Sequence, residues 1–316
     1  MNLMPTLLRR ELQEHKAGFF WLPLGTLTFL ILITLAALVA GNGDFSLRST
    51  STSNNETSSF VMEGGHGRTS LLATGLTALE TLSDDKKNSF FTIVRFASSY
   101  LFYLLFISMA VFYLAGTLHD ERADRSILFW KSMPVSDWQS VLSRLLCILL
   151  LVPAIFIAAI AVYQVALFSI ISIVGLFSEV PVASLWLDSG LVGGWFQLLI
   201  GYLVQGLWML PLYGWLLFVS SWAPRNPILV ATLAPFVPIM LEASLFQSRY
   251  LLDWISLHLN IVALPSLWGK NNIREADFGI QDSLAITTQG DFYIGLFVGA
   301  GFVAGAIWFR KLKNDI

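Results

Sequence analysis

The chain has 316 residues, 55% of them hydrophobic and only 13% charged, where a soluble globular protein carries about 25% charged residues. With a mean hydropathy of +0.68, that composition excludes an ordinary soluble enzyme and points to an all-α, polytopic integral membrane protein. A net charge of -2 without a basic face excludes nucleic-acid binding, and a single cysteine, Cys147, leaves no intrachain disulfide framework.

Residues 1–17 lead the chain. Leu3, Leu7, Leu8 and Leu12 fall toward one side, with Arg9, Arg10, Gln13 and Glu14 elsewhere, the pattern of a helix lying along a membrane interface. An apolar run of more than 20 residues follows, at 18–40. It is too long for a signal-peptide core and lacks a small-residue cleavage site, so it is expected to remain as an anchor. The loop 41–91 contains a Ser/Thr/Asn-rich tract within 44–68 that cannot bury a core, and Asn55-Glu56-Thr57 in it is formally a glycosylation sequon. His66, between glycines, has no ligand-spaced partner that would make it a metal site. Leu71, Leu72, Leu76, Leu79 and Leu82 recur at near-helical spacing and predict an amphipathic helix that lies on the outer surface or extends span two.

Five further spans are expected at 92–117, 145–174, 193–222, 228–246 and 291–309. Pro211 should bend the fourth, and Pro235 and Pro238 the fifth. Ile255 to Trp268, within the 247–290 connection, is interrupted by His258, Asn260 and Pro265 and is too short to span, so it reads as a re-entrant or interfacial helix. Gly295/Gly299 and Gly301/Gly305 on the sixth span are small-xxx-small pairs that permit close helix approach, expected within the subunit rather than at a dimer seam. The short segments 1–17, 118–144, 223–227 and 310–316 hold 11 Lys and Arg against 8 on the other side, which puts both termini in the cytoplasm of a cell (inner or plasma) membrane.

The segment 118–144 is the most informative. Asp120, Glu121, Arg122, Asp124 and Arg125 crowd its start; Ile127, Leu128, Phe129, Trp130 and Lys131 follow; Pro134 then breaks any helix. Ser136 and Gln139 have capping-box spacing for the next helix. A bulky apolar patch rimmed by charge marks a protein contact or a docking element at the membrane surface.

Six spans, an amphipathic leader and a loop reading Asp-Glu-Arg-x-Asp-Arg-Ser-Ile-Leu-Phe-Trp-Lys-Ser-Met-Pro-Val-Ser-Asp resemble a permease subunit of the type-2 ABC exporter family. The likeness covers the whole chain in topology, but its specific content lies in 118–144. It implies a coupling helix between spans two and three that docks a separate ATPase through residues 119–137. Asp120, Glu121, Arg122, Asp124, Arg125, Phe129, Trp130 and Lys131 are the candidate contacts. It also implies short outer helices between spans five and six, pairing with a second permease subunit as a homo- or heterodimer, and ATP and Mg bound by the partner ATPase.

The chain's own chemistry points the same way. Gly269-Lys270 is followed by asparagines, so no phosphate loop is present, and there is no nucleophile elbow or zinc-binding His pair. No catalytic, cofactor-binding or metal-ligating residues are assigned. Gln164, Gln205 and Glu242 are polar residues within spans and are candidates for a translocation path, with interhelical bonding as the plainer role for the glutamines. Two other readings are a stand-alone secondary transporter or channel, and a non-transporting scaffold that recruits a cytoplasmic partner through the same loop.

Overall fold

The computed structural model describes residues 4–40, 46–53, 56–63, 84–126, 135–177, 183–259 and 284–312. Its helices are α1 (Met4–Glu14), α2 (Leu22–Ala40), α3 (Asp84–Ala123), α4 (Asp137–Leu146), α5 (Val152–Phe177), α6 (Ala183–Asp188), α7 (Leu191–Trp208), α8 (Leu210–Trp222), α9 (Pro227–Leu233), α10 (Phe236–Leu245), α11 (Tyr250–Leu259) and α12 (Gly290–Leu312). Single π-helical turns at Ala17–Trp21 and Cys147–Leu151 lead into α2 and α5. Among the described residues, six helical stretches are long and apolar enough to cross a membrane: Ala17–Leu38, Phe90–Ala123, Asp137–Ile173, Leu191–Trp208, Pro227–Leu245 and Gly290–Leu312. The chain is a multi-pass membrane protein.

Between the first two spans the otherwise helical structure carries a short hairpin. Strands β1 (Ser46–Ser53) and β2 (Glu56–Glu63) pair antiparallel, from Ser46 with Glu63 to Ser53 with Glu56. The serine content hid this, but alternating threonines and Phe60-Val61-Met62 suit extended backbone. The helix expected around Leu71 to Leu82 lies outside the described residues.

Spans two to five differ from their sequence boundaries for physical reasons. The second and third helices run well past the apolar stretches, to Ala123 and from Asp137. The connection between them therefore narrows from 118–144 to 124–136. Span four is not one helix over 193–222. It breaks at Met209 (φ -83, ψ 5), because Pro211 has no N–H to donate back to α7, and restarts as α8. Span five likewise divides at Ala234-Pro235, between α9 and α10. The helix between spans five and six is α11, starting at Tyr250 rather than Ile255; residues 260–268 lie outside the described ones.

The chain forms two compact units. One comprises 1–23, 100–158 and 195–316. Tyr103, Phe106, Phe156 and Tyr202 pack at its centre, with centroids 5.2 Å apart for Tyr103–Tyr202 and for Phe106–Tyr202 and 5.6 Å for Phe106–Phe156. In the same unit α8 lies along α12 so closely that a Cβ on Gly214 would stand 2.6 Å from the Gly299 carbonyl oxygen. Gly299 in turn abuts the Leu210 backbone, Gly295 abuts His258 and Gly305 abuts Phe218, whereas Gly301 faces open space. Three of the four glycines in the small-xxx-small pairs of span six thus serve packing within the chain.

The other unit comprises 24–99 and 159–194. Phe91, Phe168 and Trp186 form a ring contact chain, and Trp186 Nε1 donates to Ser172 Oγ at 2.9 Å. The Gln164 side-chain amide donates to the Arg95 carbonyl and to Ser98 and Ser99 Oγ at 2.9–3.2 Å, fastening α5 to α3.

Candidate functional site

Three of the charged residues at the ends of spans two and three, Glu121, Asp137 and Arg144, belong to an ion-pair knot in the first unit. At its centre is Glu121, near the end of α3. It pairs with Arg144 of α4, with Arg310 of α12 at 2.8 Å and with Arg10 of α1 at 2.9 Å. Arg144 is fully enclosed. Its Nε donates to Thr117 Oγ1 (2.7 Å) and its Nη1 to the carbonyl and hydroxyl of Ser140 (2.7 and 2.8 Å). Arg310 Nε donates to Asp137 Oδ1 at 3.0 Å, so the last helix is tied to the first residue of α4.

Helix α1 enters the knot through its buried face. Leu7 is buried as its pattern predicts, but the other buried residue is Glu11, one turn on. Its carboxylate accepts from Tyr113 Oη at 2.7 Å and lies 3.7 Å from Arg144. The leader therefore turns an acid inward, where the sequence suggested a face made of leucines. His15 follows one turn later, edge-on to Tyr113 with centroids 4.7 Å apart, and also beside Phe19. Burial holds the His15 imidazole below its ordinary pKa, with Glu11 and Glu14 pulling the other way. Burial also opposes the charge on Arg10, but its bonds to Glu14 and Glu121 outweigh that and raise its pKa.

Glu11, Glu14 and His15 bring ligand-type atoms within 4.8 Å of one another. The two carboxylates already serve Tyr113, Arg144 and Arg10. The corner is built as an ion-pair network, in which every buried charge meets an opposite one.

Arg122 forms a second fastening. Its Nη2 donates to the carbonyls of Ser220 (2.6 Å) and Ala223 (3.0 Å), groups left open at the C-terminus of α8. Ser220 Oγ accepts from the backbone N–H of Leu118 and His119, both at 3.1 Å. At the far edge of the connection, Ser136 N–H donates to Gln139 Oε1 at 3.1 Å, the Gln arm of the predicted capping box.

The candidate coupling residues thus separate into two groups. Glu121 and Arg122 face inward and hold the roots of the connection. Asp120, Asp124 and Arg125 are exposed. Arg125 ends α3 in a left-handed conformation (φ 56) usually taken by glycine. Phe129, Trp130 and Lys131 lie outside the described residues. Of the candidate path residues, Gln164 is a helix fastener, and Gln205 is buried one turn before the Met209 break. The Glu242 carboxylate accepts from Ser248 Oγ (2.7 Å) and from Leu251 N–H (2.9 Å), so it caps the first turn of α11.

Sequence reasoning passed over Glu11, Tyr113, Thr117, Arg144 and Arg310, and placed Asp137 only at the edge of the docking stretch 119–137. A usable signal was present for two of them: Glu11 lies four residues after Leu7, on the same helix face, and Arg144 sits among Val141, Leu145 and Ile148.

No family model matches the chain, and no curated protein or solved structure matches it.

Proposed function

We propose that this chain is the membrane-spanning subunit of an ATP-driven ABC exporter. It works as a pair of permeases with two separate ATPase subunits, and the short connection 124–136 with its flanking helix ends receives the ATPase. The observation that carries the reading is the buried knot at the roots of that connection. Glu121, Asp137 and Arg144 join both roots to α1 and α12 through enclosed ion pairs. A connection anchored in this way cannot yield alone when pushed, so displacement of the loop is passed to the N-terminal helix and the last span. ATP binding and hydrolysis by the partner would then bias the permease between two states through differential contact with the loop.

Asp120, Asp124 and Arg125 are the contact residues on this reading, with Phe129, Trp130 and Lys131 as the apolar part of the same surface. Glu121 and Arg122 support it from inside. The loop faces the cytoplasm with both termini, as the distribution of Lys and Arg indicates.

The test is co-purification from native membranes with ATP hydrolysis as the readout. A P-loop ATPase is expected to accompany the wild-type chain, and the D120K/D124K/R125E variant is expected to lose it while remaining monodisperse in detergent. Unchanged association and unchanged ATP hydrolysis in that variant would overturn the assignment. Ion or solute flux by the reconstituted chain alone would favour the stand-alone transporter.

A further inference from the structure

Arg95 is the one arginine in the second unit whose side-chain bonding is described, and it differs from those of the knot. It sits on α3 five residues after the apolar stretch begins at Phe90, about 7–8 Å into it. Its Nη1 donates to the carbonyls of Ser189 (2.9 Å) and Gly190 (2.7 Å), and its Nη2 to Thr92 Oγ1 (3.0 Å). Nε is buried with no acceptor. All three acceptors are neutral, and among the described residues no carboxylate pairs with this guanidinium.

The arm lies in space that two glycines leave open. Gly190, at φ +57, and Gly194 form a cradle in which an added Cβ would stand 2.8 Å from Nη1 or 3.0 Å from Cδ. A freely snorkelling arginine needs no such seat. Here the seat and the two carbonyls hold a half-buried cation at the edge of an apolar span, where an uncompensated charge is costly. Three of its five donors are used, leaving Nε–H and one Nη2–H.

We infer that Arg95 is a binding site for the phosphodiester group of a membrane phospholipid. A lipid phosphate lies at the depth of a span's edge, carries the missing negative charge, and accepts from a planar guanidinium better than from an ammonium. The Ser189–Gly190 turn sets the guanidinium plane, Thr92 fixes its rotation, and the lipid completes the charge balance. The site is independent of the ATPase-coupling role proposed above.

The experiment uses the full chain in neutral detergent, delipidated and then titrated with phosphatidylglycerol, with diacylglycerol of the same acyl chains, or with inorganic phosphate. Phosphatidylglycerol is expected to raise the thermal midpoint of the wild-type protein, and the other two to leave it unchanged. In R95Q the apparent affinity should fall about 10- to 100-fold, the range for a lost charge-assisted hydrogen bond, with R95K between the two. Hydrogen–deuterium exchange on the wild type, which needs no variant to fold, should show new protection in 88–99 and 184–196 with phosphatidylglycerol alone. An equal response to diacylglycerol, an equal response in R95Q, or protection elsewhere but not in those segments would overturn the assignment. A response to inorganic phosphate matching that to phosphatidylglycerol would overturn the lipid as the source.

Discussion

Neutralising Glu121 should damage this protein more than any single change on the exposed side of the same loop. Glu121→Gln keeps the side chain's shape but removes a carboxylate shared by Arg10, Arg144 and Arg310. It also turns an amide NH2 toward at least one guanidinium donor. Removing one partner of a buried ion pair costs about 3–5 kcal/mol, because the remaining charge stays desolvated. That is a large part of the roughly 5–15 kcal/mol that separates folded from unfolded states. The structure also ranks the partners. The Arg144 and Arg310 side chains are 1% and 4% exposed, and that of Arg10 is 15% exposed with Glu14 as a second acid. Arg144→Met should therefore approach the full cost, Arg310→Met somewhat less, and Arg10→Gln about 1 kcal/mol, as for a surface pair. The double variant E121Q/R144M should cost less than its two single changes added together, since each removes the charge the other strands. Equilibrium unfolding in mixed micelles measures all five. Near-equal losses for Arg144→Met and Arg10→Gln, or additive single changes, would refute the idea that enclosure of this knot governs its energetics.

The glycines on α12 give a sharp internal contrast. Gly299→Ala places a Cβ 2.7 Å from Leu210 backbone carbon and should cost about 1–3 kcal/mol through overpacking. Gly301→Ala meets nothing within 4 Å and should be neutral or stabilising by up to about 1 kcal/mol; thermal midpoints in detergent distinguish them. Arg125→Gly relieves a left-handed arginine at the end of α3 and should stabilise by about 0.5–1 kcal/mol, seen as slower unfolding. Glu242→Ala removes the cap on α11 at a cost of about 0.5–2 kcal/mol, and faster amide exchange at 250–254 would report it. His15 has a folded-state pKa below its ordinary value of 6.5, so the folded state binds fewer protons than the unfolded one. Stability from this group is complete above pH 6.5 and falls as the pH drops through and below that value. The groups facing it are Glu11, Glu14, Asp120 and Arg144. His15→Gln should flatten the loss of thermal midpoint between pH 7.5 and 5.5, and an unchanged slope would show that other groups set it.

How far the sequence reached follows from what hydropathy can register. A run of 20 apolar residues has few structural options in a bilayer, so the six spans were legible, as were the breaks at Pro211 and Pro235. The root of the loop was not, because charge there reads as solvent exposure. Glu121, Asp137 and Arg144 look like loop residues one at a time, and only their mutual neutralisation lets helices α3 and α4 continue through them. Seeing that requires knowing that Arg310, 189 positions beyond Glu121, returns to the same place. The same blindness hid Glu11, since a charge on the inward face of a leader is sensible only if Tyr113 and Arg144 wait for it.

This changes how the charged loop should be understood. Its sequence offers eight candidate contact residues on equal terms, yet burial separates the five that lie among the described residues. Asp120, Asp124 and Arg125 are exposed, where the proposed partner would meet them, and Glu121 and Arg122 are committed to bonds within the chain. Two classes of variant should therefore behave differently. Charge reversal at an exposed position should weaken partner association with stability within about 0.5 kcal/mol of wild type. Neutralisation at an inward position should lower stability first and association only as a result. A D124K variant that unfolds readily, or an E121Q variant that is stable but unable to associate, would mean that the division drawn from burial is wrong.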